Sequence, residues 1–156
     1  SAEMLRDSVL TVTGELHFQG GASRDVSDPE NFRRTLYGRV SRKELNAYLA
    51  QFDYPDANVH CATRAETTTP AQKLFLLNSE FVLARSEVLA DQVMASFESV
   101  EEQIDDAYVR ILSRRPDSRE SGIARAFLQQ HGDADRERWV QFTQALLVSN
   151  EFLYRD

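Results

Sequence analysis

The chain has 156 residues, 42% of them apolar and 28% charged, with six glycines and four prolines. That composition excludes intrinsic disorder and fibrous repeats, and suits one globular domain that buries roughly 70% of its unfolded surface. A net charge of −7, from 18 basic and 25 acidic residues, argues against general nucleic-acid binding, which needs a net basic face.

No apolar run approaches the ~20 residues of a membrane-spanning helix. The opening SAEMLRDSVL is amphipathic and carries both charge signs, unlike a secretion signal. The expectation is a single domain over residues 1–156, cut from a larger multidomain protein. Met4, Leu5, Val9 and Val12 have the spacing of a helix that ends at Gly14, and HFQGGASRDVSDPEN reads as loop. Over residues 34–40 the apolar Leu36 and Val40 suit strand or helix equally, and Thr35, Tyr37 and Gly38 favour a short extended piece. Ser41-Arg42-Lys43-Glu44 has the form of a capping box, in which a Ser, Thr or Asp side chain and a Glu or Gln three residues later satisfy each other's backbone N–H groups. The helix expected after it carries Leu45, Tyr48, Leu49 and Phe52.

DYPDANVHCATRAETTT is a long connection without a helix signal. A second capping box, Thr69-Pro70-Ala71-Gln72, follows it, with Pro70 where its missing N–H costs nothing. That helix is expected to break or kink at Asn78-Ser79 and to continue with Phe81, Ala84, Val88, Leu89, Val93 and Phe97 on its buried face. Ser99 and Asp117 begin further capping boxes. Val100, Ile104, Ala107, Tyr108, Ile111 and Leu112 form one stripe, and Ile123, Ala124, Phe127 and Leu128 another, stopped at His131-Gly132. Asp133 is the expected cap of a last helix that buries Trp139, Phe142, Leu146 and Leu153. LFLLNSEFV and ALLVSNEFL, at residues 74–82 and 145–153, align without a gap, and in both an Asn or Ser pair can recap a helix where the chain bends. The fold class is therefore mainly α: a single-domain bundle of about five to seven helices with one long irregular connection and a short extended segment.

The residues of interest for binding lie in the first half. Residues 33–43, RRTLYGRVSRK, hold five cations, Arg33, Arg34, Arg39, Arg42 and Lys43, around Tyr37 and without an anion. They form a solvated face paired with acids elsewhere in the fold or a contact for an anion or an acidic glycan. Arg42 and Lys43 would stand in a first helical turn, where cations oppose the dipole. Asp53 and Asp56 are a carboxylate pair in an irregular loop, with His60 and Arg64 downstream. Such pairs divide acid and base work only at defined separations, ~5 to 9.5 Å in glycosidases, and the competing reading is a Pro-containing turn whose Asp side chains bond local backbone. Cys61 has no partner cysteine in the chain, and the C-x-x-C-H of a c-type haem attachment is absent. His60 and Cys61 are adjacent, so in an extended segment they point to opposite faces and do not share a metal. No catalytic set, metal site or cofactor is expected.

These segments also carry a resemblance. EMLRDSVLTVTGEL, RRTLYGRV, FDYPDANVHCATRAETTTPAQKLFLLNSEFV and the terminal SNEFLY resemble the C-terminal domain of unknown function of large exported proteins of the planctomycete type, which often have cytochrome-c-like domains upstream. The matching positions are Arg6 and Asp7; Arg33, Arg34 and Tyr37; Phe52, Asp53, Pro55 and Asp56; Cys61 and Arg64; Thr69, Pro70 and Gln72; Asn78; and Asn150, Glu151 and Phe152. Residues 15–31 match poorly. The resemblance implies an extracytoplasmic location, periplasmic or at the cell surface, and places any haem in another domain of the parent. The expected function is a non-catalytic structural and interaction module whose partners are the parent's other domains and a polysaccharide. The alternatives are a hydrolytic or polysaccharide-acting domain using the Asp53/Asp56 loop, or an anionic-glycan-binding module using residues 33–43.

Overall fold

The computed structural model describes residues 1–56, 58–64, 67–130 and 135–154, and the regular secondary structure among these is helical, with no strand. Among the described residues eight α-helices follow one another: α1 Ala2–Val12, α2 Ala47–Gln51, α3 Pro70–Leu77, α4 Glu80–Ser96, α5 Val100–Leu112, α6 Ser118–Leu128, α7 Arg136–Leu147 and α8 Asn150–Leu153. The mainly α expectation holds. The count exceeds seven because the last expected helix is two, recapped by Ser149, whose side chain accepts from the Phe152 N–H. The chain divides into two compact units, Ser1–Leu76 and Leu77–Asp156.

In the first unit α1 is capped by Ser1 and leaves through Gly14, whose φ of +73° is the left-handed conformation that glycine adopts without a Cβ penalty. Its buried face is Ala2, Arg6, Val9 and Leu10, while Met4 is 69% exposed. The expected apolar stripe is thus rotated, because a buried arginine occupies its centre. Residues 34–40 are extended only in part: Thr35–Tyr37 is a single 3-10 turn closed by the Gly38 N–H to the Thr35 carbonyl at 2.8 Å, and Gly38 after it has extended backbone. The Gly38 backbone lies so close to its surroundings that a Cβ there would meet Val26 Cγ2 at 2.6 Å and the Thr35 carbonyl oxygen at 2.8 Å, which demands glycine. Isolated parallel bridges join His17 with Arg33 and Arg24 with Gly38.

Ser41 does not begin a helix. Its Oγ accepts from the Lys43 and Glu44 N–H groups at 3.2 and 3.3 Å in a local turn, and α2 begins only after Asn46, whose side chain accepts from the Tyr48 N–H at 2.9 Å. Arg42 and Lys43 therefore stand outside the first turn, where they would have opposed the dipole. Tyr48 and Leu49 are buried, Tyr48 and Phe52 contact Phe75 of α3, and the Tyr48 hydroxyl donates to the Ala2 carbonyl at 3.0 Å. Burial raises the Tyr48 pKa, so it stays a neutral donor.

In the second unit α4 packs on α7, and α5 lies against α4, α6, α7 and α8. Ser86 and Ala90 of α4 and Thr143 of α7 are fully buried, and Thr143 Oγ1 donates to the Ser86 carbonyl at 2.9 Å. These small residues set the α4 face: Val82, Arg85, Ser86, Leu89, Ala90 and Val93 point inward, while Phe97, expected on that face, is 46% exposed. Ala124 and Leu128 of α6 are buried but Ile123 is 61% exposed. The caps fall as expected at Ser99 and at Asp117, where both halves of the box form. The cap of α7 is Asp135; the expected stop at His131-Gly132 and cap at Asp133 lie outside the described residues. α3 ends at Leu77 and α4 restarts after Ser79, as α7 ends at Leu147 and α8 restarts after Ser149, so both aligned segments are recapped helix breaks.

Candidate functional site

Of the polar residues singled out in the first unit, Arg6, Asp7, Arg33, Arg34 and Arg64 take part in contacts made by α1. Arg6, 2% exposed, donates through Nη1 to the Arg33 carbonyl at 3.0 Å and to Thr35 Oγ1 at 3.3 Å, and through Nη2 to the Asn31 carbonyl. Next to it the Asp7 carboxylate accepts from the Thr35 N–H at 2.7 Å, Thr35 Oγ1 at 2.8 Å and Arg34 Nε at 3.3 Å. One helical turn thus grips residues 31–35 by their backbone, satisfying carbonyls that no helix or sheet serves. Asn31 and Asn46 extend the grip, Asn31 donating to the Asp25 carbonyl at 2.9 Å and Asn46 to Asp25 Oδ1 at 3.2 Å and to Ser27 Oγ. The contacts of Thr35 with Asp7 and of Asn46 with Asp25 and Ser27 are not legible in the sequence, since these partners lie 19 to 28 residues away.

The connection after α2 is closed at its neck. Asp53 sits at a left-handed φ of 55°, which Asp tolerates. Its carboxylate accepts from Thr67 Oγ1 at 2.7 Å and from the Thr67 N–H at 2.7 Å, and these two bonds hold its pKa below the usual carboxylate range. Asp56 accepts from the Asn58 N–H at 2.8 Å, the Asn58 side chain in turn donating to the Arg42 carbonyl at 2.8 Å. The two carboxylates therefore serve different local groups. Thr69 and Gln72 cap α3 reciprocally, at 3.1 and 3.3 Å, and Gln72 Nε2 reaches back to the Gln51 carbonyl at 3.1 Å.

Arg64 leaves the connection to pair with Glu3 at 2.7 Å, its guanidinium 5.4 Å from the Tyr54 ring centroid. The Glu3 bond raises the Arg64 pKa; burial would raise that of Glu3, but the Arg64 bond and local donors leave it lowered. His60 and Cys61 are exposed, and Cys61 Sγ donates to the Thr63 carbonyl at 3.0 Å. Among the described residues no group of three or more His, Cys, Asp or Glu side chains is placed to hold a metal ion.

The cation run is divided. Arg34 is paired with Asp7, and Arg33 Nη1 donates to the Ala22 carbonyl at 2.7 Å. Tyr37 lies 3.7 Å from where a side chain on Gly20 would begin. Arg39, Arg42 and Lys43 are exposed, with no carboxylate at ion-pair distance among the described residues.

The family model described as PSD1, a protein of unknown function (DUF1553), matches residues 1–128. The chain belongs to this family. No curated protein and no solved structure matches it. In this PSD1 chain the matched span contains the Arg6/Asp7 grip, the cation run and the closed connection, but ends before Asn150, Glu151 and Phe152, which the resemblance also included. Those residues lie on α8, where Glu151 accepts from Arg114 Nε at 2.6 Å and Nη2 at 2.7 Å. No described helix is long and apolar enough to cross a membrane.

Proposed function

We propose that this PSD1 domain is a non-catalytic structural and interaction module of a larger exported, planctomycete-type protein, acting outside the cytoplasm. The observation that supports this reading is the destination of the reactive-looking groups. Asp53 and Asp56 accept backbone N–H groups of their own connection, Arg64 holds that connection to α1 through Glu3, and Asp7 and Arg34 serve residues 34–35. A general base needs a lone pair aimed at a substrate proton, and the best-placed carboxylate here already accepts two bonds and has a lowered pKa. Exported location and multidomain context follow from the resemblance described above. The partners are the other domains of the parent protein, with a polysaccharide as the external ligand.

The test uses the Asp53→Asn and Asp56→Asn double variant on a panel of polysaccharides and esters, alongside its thermal melt. The module reading expects a lowered melting temperature and no hydrolysis by either protein. Hydrolysis by the parent chain that the variant loses at an unchanged melting temperature would establish the enzymatic alternative.

A further inference from the structure

We propose that Arg39, Arg42 and Lys43 form a prearranged cationic row that binds a sulfated or uronate-bearing polysaccharide, with Leu36 and Tyr37 as its apolar flank. This rests on the interaction-module reading and specifies the chemistry of the partner.

The first support is the pairing pattern. Arg24, Arg34, Arg64, Arg110, Arg114 and Arg136 each have a carboxylate at ion-pair distance. With 25 acids to 18 bases, carboxylates are in surplus, yet these three near-neighbour cations take none among the described residues. The acids of the surrounding segments are engaged elsewhere: Asp56 with Asn58, Asp25 with Ser27 and Asn46, and Asp28 with the Glu30 N–H and Arg24. Glu44 flanks the row and pairs with none of it among the described residues.

The second support is that the backbone beneath the row is held while the side chains are not. The Arg39 N–H donates to the Arg24 carbonyl at 2.7 Å, the Arg42 carbonyl accepts from Asn58, and Ser41 Oγ accepts from the Lys43 N–H. Gly38 leaves no space for a side chain between Val26 and Thr35. A fixed backbone reduces the ordering cost of binding. Leu36 is 70% exposed and Tyr37 37%, and both lie within three residues of Arg39 in the chain, so the segment that carries the charges also offers apolar surface to sugar rings.

The partner class follows from charge density. Arg forks match carboxylate and sulfate oxygens. Duplex nucleic acid carries one charge per ~1.7 Å, so a chain of net charge −7 repels it outside the row. A glycan charged once every sugar or two is held locally at a smaller repulsive cost.

The test is native affinity electrophoresis of the 156-residue chain through gels containing chondroitin sulfate, polygalacturonate or neutral dextran, with a duplex DNA shift in parallel. Both anionic glycans should retard the chain in a salt-dependent way and neutral dextran should not. Arg39→Ala, Arg42→Ala, Lys43→Ala together should weaken binding by at least about tenfold, as the loss of several counterion-releasing contacts requires. The charge-keeping set Arg39→Lys, Arg42→Lys, Lys43→Arg should retain it. The distant set Arg115→Ala, Arg119→Ala, Arg125→Ala removes the same charge and should leave it within about twofold. No retardation, equal loss in both alanine sets, or tighter binding of duplex DNA would overturn the proposal. None of those results touches the module reading, which falls only if hydrolysis depends on Asp53 and Asp56.

Discussion

Asp7 accepts three hydrogen bonds that hold residues 34 and 35 to α1. Asp7→Ala strands the Thr35 N–H and hydroxyl in a mostly buried setting, so urea denaturation should show a loss of about 1–3 kcal/mol. Thr69→Ala removes only a cap and should cost about 1 kcal/mol in the same assay. The difference explains what could be read in advance. Caps at Thr69, Ser99 and Asp117 are written within four consecutive residues, and their donors and acceptors are dictated by helix geometry. The burial of Arg6 was hidden, because its acceptors lie 25 to 29 residues away and an arginine on a helix reads as solvated.

Among the elements, α6 carries an unused gain in stability. Gly122 is exposed, and a Cβ there would meet nothing within 4 Å. Gly122→Ala should therefore stabilise the fold by about 0.5–1 kcal/mol through helix propensity and a less entropic unfolded chain. Gly38→Ala should do the opposite, since its Cβ would collide with Val26 and the Thr35 carbonyl; comparison of the two melts checks both signs. The misplaced start of α2 has a related cause. Ser41 and Glu44 have cap spacing, but Arg42 and Lys43 between them oppose the helix dipole, so Asn46, directly before buried Tyr48 and Leu49, caps instead. Helices with strong stripes, such as α5, were legible. The faces of α1 and α4 were not, because a buried Arg6 in one and the small Ser86 and Ala90 in the other override apolar periodicity.

For the whole molecule, acid stability should depend on Arg114. It holds Glu120 through paired bonds of 2.7 Å and Glu151 through bonds of 2.6 and 2.7 Å, joining the end of α5 to the starts of α6 and α8. These bonds lower the Glu120 pKa from 4.5 to about 2, and that of Glu151 also falls. Because the folded values lie below the unfolded ones, the stabilisation is complete above pH ~4.5 and is lost as pH falls towards about 2. Melting temperatures taken over that window should fall more steeply for the parent chain than for Arg114→Ala. A parallel fall would remove the network from the account.

The central claim is that the connection after α2 is a closed structural loop whose carboxylates are engaged. Residue-resolved amide hydrogen exchange of the 156-residue chain, compared with Asp53→Ala, tests it most directly. The account predicts that the Thr67 amide is protected in the parent and that this protection is lost in the variant, together with a lower melting temperature. A Thr67 amide that exchanges at free-peptide rates in both proteins, with identical melts, would contradict it.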